Sequence, residues 1–305
     1  MLTFKSTAVL AVKALLCGLI YVIATMFMGA LGATLHLSIP NLSPPGVSQS
    51  EAVRAFFFAS LLLGLALTPL ARGSGGTRFE RTVAFFFFIF ICMGLNATIE
   101  ILIFTTMLTP LTAPPFILSC TFPALALGAS LSFLAPRDNA QAPTASQRLV
   151  NVFSLQSPAA WLWRIPAAIL AFPLVYFVFG AMVAPIVVPT YRAGIAGLVL
   201  PPLSIILSVQ LVRSTLFLFA SLPFLILWKG KRGSLIFSLG LAHWFTVGLF
   251  GLLQAHQFSR TLRIAHSLEI GADSFAYAAL LVLLLSPRPV TKHVKAPIAA
   301  PMFPS

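Results

Sequence analysis

The chain has 305 residues, 59% of them hydrophobic and 8% charged, with 19 Lys and Arg against 6 Asp and Glu for a net charge of +13. A soluble domain carries roughly 25% charged residues, so this chain cannot cover a water-facing surface and its solvent is lipid. The positive charge does not signal nucleic acid, because the basic residues stand one to three at a time between apolar runs rather than on a basic face interleaved with aromatics.

A membrane-crossing helix needs about 20 apolar residues. Eight runs qualify in chain order: 13–35, 52–71, 82–105, 112–134, 160–187, 201–228, 234–254 and 267–286. Lys5 and Lys13 precede the first. That run is longer than a signal-peptide core, and Leu16 is too bulky for the position before a lipidated Cys17, so it reads as an uncleaved span. Residues 36–51 form a loop with turn chemistry. Gly73-Ser74-Gly75-Gly76 after the second span is a turn, since it lacks the Lys and Ser/Thr that follow a nucleotide-binding glycine loop. Pro114, Pro115 and Pro123 punctuate the fourth span, and Glu269 and Asp273 interrupt the eighth. The expected organisation is therefore residues 1–135 with helices one to four, a polar linker at 136–158, residues 159–287 with helices five to eight, and a Pro-rich tail at 288–305.

This pattern predicts an all-α, polytopic integral membrane protein of about eight transmembrane helices. The loops alternate in charge, and 14 of the 19 basic residues fall on one side. The positive-inside rule makes that side, with both termini, cytoplasmic, and the cell membrane the expected location.

The halves show weak likeness. Met26-Phe27-Met28-Gly29-Ala30 aligns with Phe177-Val178-Phe179-Gly180-Ala181 at an offset of 151, which also relates Arg81 to Arg232 and Pro136-Arg137 to Pro287-Arg288. Spans two and six need an insertion to match residues 53–61 with 212–222. The likeness fits two parallel four-helix repeats, and equally a chance match between Phe- and Ala-rich helices. Gly29, Gly32 and Gly180 are expected at close helix contacts. Pro166, Pro173, Pro185 and Pro223 are expected to kink or break their helices.

Ionisable groups inside lipid are the functional candidates. Asn96 and Glu100 share a face of span three. His266, Glu269 and Asp273 share a stripe at the start of span eight, and Arg213 lies deep in span six. Counting at about 1.5 Å per residue puts these six at one depth, the outer half of the bundle. They are expected to form one inward-facing cluster, with Arg213 paired to Glu100 or Asp273. Gln210, His243 and Arg263 are secondary members, and His243 reads foremost as a hydrogen-bonded packing residue. Cys17, Cys92 and Cys120 show no metal or disulfide spacing. His266 and Glu269 have too few acidic helpers for a metal pair, and His243 has no second histidine at its depth for haem. No metal and no cofactor are expected.

The preferred expectation is binding or transport of a small solute or lipid through an outward-facing cavity. Arg213 would recognise an anionic group, and the carboxylates and His266 would handle protons or a cation. The alternatives are a membrane-embedded enzyme acting on a lipid or peptide, and an assembly subunit without chemistry. Beyond the bilayer, the partners considered are a small anionic solute or lipid and a membrane protein or second copy.

Overall fold

A computed structural model describes residues 4–37, 47–134, 143–154 and 156–286. The 288–305 tail and the basic residues Arg137, Arg288, Lys292 and Lys295 lie outside the described residues. Among the described residues eight helices are long and apolar enough to cross a membrane, and the protein is an all-α polytopic membrane protein. Four come before the linker: α1 (Phe4–Thr34), α2 (Gln49–Gly73), α3 (Arg78–Phe104) and α4 (Ala113–Ser132). A short α5 (Ala145–Ser154) follows, then α6 (Pro158–Arg192), α7 (Leu203–Leu227), α8 (Arg232–Gln254) and α9 (Arg260–Leu285).

The helix starts follow local chemistry. Ser48 with Glu51, and Thr77 with Glu80, form reciprocal capping boxes that satisfy the first free amides of α2 and α3. The same logic explains α5, which lies inside the polar linker expected at 136–158. Gln147 N donates to Thr144 Oγ1 at 3.3 Å, and Thr144 N donates to Gln147 Oε1 at 2.9 Å. A capping box thus nucleates a helix there, against α7.

The halves share one architecture. In the first, α1 packs on α2 and α4, and α3 packs on α4; in the second, α6 packs on α7 and α9, and α8 packs on α9. Between halves, α2 meets α8 and α3 meets α7. Helices α2 and α7 are both 25 residues and begin 154 positions apart. Helices α3 and α8 begin at the same offset, and each carries a π-type turn at matching positions, Phe90–Leu95 and Trp244–Leu249. Gly75 N donates to Leu227 O at 2.7 Å, and Lys229 N donates to Gly73 O at 3.0 Å. Those two bonds exchange under the 154 offset, as a two-fold axis through the α2–α3 and α7–α8 turns requires. Both turns therefore lie at one end, and the repeats are parallel. We call this the basic end, since Arg72, Arg78, Arg81, Lys229, Lys231 and Arg232 flank it.

The sequence alignment needs two corrections. Spans two and six match at 154 without an insertion, and Arg78 rather than Arg81 corresponds to Arg232. The 151 offset suits α1 and α6: Gly18 meets α2 at Ser60, while Ile169, 151 residues on, meets α7 at Ser214. Phe- and Leu-rich runs match at several registers, so letters alone misplace the frame by a helical turn.

Glycine marks only some of the expected contacts. A Cβ at Gly64 would sit 2.1 Å from Ala14 O and one at Gly18 2.2 Å from Ser60 O, so α1 and α2 touch backbone to backbone there. Gly29, by contrast, has nothing within 4 Å of that position. The prolines do not break their helices: α6 runs unbroken through Pro166, Pro173, Pro185 and Pro189, and α7 through Pro223. Pro173 cannot donate to Ile169 O, and Ser214 Oγ of α7 donates to that carbonyl instead, at 2.5 Å.

Candidate functional site

Arg213 is 4% exposed, and each of its three nitrogens has a partner. Nε donates to Asn96 Oδ1 at 2.8 Å, Nη1 to Gln210 Oε1 at 3.1 Å, and Nη2 forms an ion pair with Glu100. Its guanidinium lies 5.3 Å from the Phe172 ring centroid and 5.6 Å from that of Phe217. Asn96 and Glu100 stand one turn apart on α3, just past its π-type turn, which aims both across the inter-helix seam at α7. Of the two pairings expected for Arg213, the structure forms the one with Glu100.

The opposite wall belongs to α9. His266 Nδ1 lies 2.9 Å from Glu269 Oε2, one helical turn away. Gly180 of α6 makes the room this carboxylate occupies, because a Cβ there would lie 3.2 Å from Glu269 Oε1. Asp273 follows one turn deeper. It is 4% exposed, its Oδ1 has no hydrogen-bond partner, and no described residue forms an ion pair with it. At about 1.5 Å per residue, Asp273 lies roughly 20 Å inside the start of α9, near mid-bilayer.

Between these walls is a cavity of about 220 Å³. Glu100, Arg213, His266, Glu269 and Asp273 all line it, with Asn96 and Gln210 behind Arg213. The space runs from Thr105, Tyr191, Leu198 and Phe258, at the end remote from the basic turns, to His243. At the rim, Thr106 N donates to Gly197 O at 2.9 Å and Val199 N to Phe104 O at 2.8 Å, strapping the α3–α4 loop to the α6–α7 loop.

His243 packs among Phe88, Phe217 and Tyr277. Ser221 Oγ donates to Phe217 O at 2.7 Å and stands 2.9 Å from His243 Nε2, so that nitrogen carries the proton they share. His243 is thus held as a core residue that also reaches the cavity. Arg263 is not brought to the cluster. It lies with Arg260 in a separate groove between α8 and α9, beside Leu249, Leu253 and Leu268.

The aromatic lining was not singled out from the sequence. Phe172, Tyr176, Tyr191, Phe217 and Tyr277 all face the cavity. A signal existed: the chain has only 4 Tyr residues, and Tyr176 and Tyr277 fall well inside apolar runs, where a phenol needs a polar neighbour. Tyr277 finds one in Ser214 O, at 3.2 Å.

The matching place in the other half holds no charge. At the 154 offset, Ala59 stands for Arg213, Phe56 for Gln210, Phe250 for Asn96 and Gln254 for Glu100, while Tyr21 stands for Phe172 at 151. Tyr21, Phe56 and Phe250 pack there, with ring centroids 5.9 to 6.2 Å apart. One polar site and one aromatic plug therefore occupy equivalent positions.

The fold and site define a multi-pass membrane protein of two four-helix halves with a charged cavity at their junction. No known protein family, curated protein or solved structure matches this chain.

Proposed function

We propose that the protein binds a small solute in this cavity and moves it across the membrane. The observation that carries the reading is the cavity itself: ionisable groups from α3, α7 and α9 face one space that reaches mid-bilayer from one end. Burying charge in lipid is costly and marks functional sites, and sites near the midplane between parallel or inverted repeats are characteristic of transporters. We further assign the basic end to the cytoplasm, from the flanking Arg and Lys residues, which makes the cavity open outward. Acid–base catalysis by His266 and Glu269 is less favoured, because no described nucleophile stands within hydrogen-bond reach of that pair.

The test is side-specific labelling of Ser274→Cys, a cavity position, after replacing Cys17, Cys92 and Cys120 with serine. A small water-soluble thiosulfonate should react from outside faster than at the lipid-facing control Leu268→Cys. In a transport cycle the same cysteine also becomes reachable from the cytoplasmic side. Reaction no faster than the control would end the cavity reading. Reaction from one side alone, under all conditions, would end transport and leave binding.

A further inference from the structure

The charge of the solute follows from which lining groups remain free. Arg213 was the expected anion receptor, yet its nitrogens are turned to Asn96, Gln210 and Glu100. An anion entering the cavity would have to displace Glu100 from its ion pair to reach it. The acids are differently placed. Glu100 is answered by Arg213, and Glu269 uses Oε2 toward His266, leaving Oε1 beside Gly180. No described residue hydrogen-bonds to Asp273 Oδ1 or pairs with Asp273, although it is buried and lines the cavity. Three carboxylates against one guanidinium and the His266 imidazole leave the space in acidic excess even when His266 is protonated.

An ionised carboxylate without a partner at this depth is strongly disfavoured, so Asp273 either holds a proton or is met by a positive charge, and a cationic solute supplies the second. The lining decides which kind. An inorganic cation needs six or more oxygen ligands, or a tight set of His, Cys and carboxylate groups. No such metal-holding group exists among the described residues. The rings of Phe172, Tyr176, Phe217 and Tyr277 instead surround the acids. Aromatic faces attract organic cations and also cover their apolar body. The volume lies below that of drug-sized pockets.

We propose that the cavity takes a small organic ammonium ion, whose N–H groups are received by the Asp273 and Glu269 carboxylates and whose carbon body lies against the aromatic rings. This rests on the reading of the cavity as a solute site, and it replaces an anionic ligand by a cationic one.

The test is calorimetric titration of the full chain in lipid nanodiscs, with empty nanodiscs as the blank. The probes are three molecules of one shape: benzylammonium, benzyl alcohol and benzoate. The expected order is benzylammonium tightest by tenfold or more, with benzoate weakest. Asp273→Asn should reduce benzylammonium affinity at least tenfold and leave benzyl alcohol within about twofold. If that variant fails to fold, the order of the three probes on the unmodified protein still decides. Benzoate binding as tightly as benzylammonium, or an unchanged benzylammonium affinity in a folded Asp273→Asn variant, would overturn the cation assignment while the cavity reading survives. No heat above the blank from any probe would overturn both.

Discussion

Arg213 and Asp273 are both charged residues buried within one cavity, yet they stand in opposite relation to stability. Arg213 has a protein partner at each nitrogen, so truncating it leaves Glu100, Asn96 and Gln210 uncompensated. Breaking a fully buried pair from one side is destabilising by about 3–5 kcal/mol, and the 33% exposure of the Glu100 side chain puts this pair below that range. Arg213→Ala should therefore lower the melting temperature of the purified protein sharply. Arg213→Lys should recover only part of the loss, because an ammonium is a point charge without the planar fork that meets three acceptors. A variant lacking both charges, Arg213→Leu with Glu100→Leu, should melt above Arg213→Ala alone. Equal melting of Arg213→Ala and the native chain would show the pair to be idle. For Asp273 the sign reverses. It gives up no hydrogen bond or ion pair to a described residue, so Asp273→Asn should be as stable as the native chain or more so, by up to about 2 kcal/mol as in other stability–function exchanges, and should melt at or above the native temperature. A clear loss of stability in Asp273→Asn would instead mark a structural carboxylate whose partner is a backbone or bound group.

At the level of helices, the spans were legible because lipid imposes a length and a composition that few other constraints imitate. Rise per residue also converts position into depth, and on that count Asn96, Glu100, Arg213, His266 and Glu269 fall in the outer half while Asp273 reaches the midplane. Azimuth was not legible. Arg263 shares the stripe of His266 by spacing alone, but it lines a different groove, and only packing against α8 decides that. Close contacts were also illegible: Gly29 and Gly64 look alike in an apolar run, and the difference lies in which neighbour arrives. The contrast is testable. Gly64→Ala puts a methyl 2.1 Å from Ala14 O, backbone that cannot rotate away, so α1 and α2 must separate. Overpacking of this kind typically destabilises by about 1–3 kcal/mol. Gly29→Ala meets open space and should leave stability unchanged or slightly raised, as alanine favours helix. Equal thermal shifts in the two variants would contradict the crossing described here.

Across the whole molecule, the pseudo-two-fold explains why only one arrangement of the halves is satisfactory. The first half carries Asn96 and Glu100 on α3 and Ala59 on α2; the second carries Arg213 on α7 and Phe250 with Gln254 on α8. In the native pairing, α3 faces α7 and the charges meet, while α2 faces α8 and the aromatic plug closes. Two copies of the first half would place each Glu100 opposite an Ala59, with no cation in reach. Two copies of the second would place each Arg213 opposite a Phe250. Either homodimer strands two charges in lipid, so the ion pair favours the mixed assembly over both alternatives by the stability of a buried pair counted twice. Sharing of the two exchanged hydrogen bonds at Gly75 and Lys229 does not discriminate, because backbone is common to all three pairings. The prediction is made on a chain cut in the α4–α5 linker and expressed as two fragments. The fragments should co-purify as a one-to-one complex, and each expressed alone should fail to form a stable dimer. Arg213→Ala in the second fragment should weaken recovery of the mixed complex, and adding Glu100→Ala to the first should restore part of it. Stable homodimers of either fragment, or a mixed complex indifferent to Arg213, would show that packing of the apolar faces rather than the charge pair selects how the halves meet.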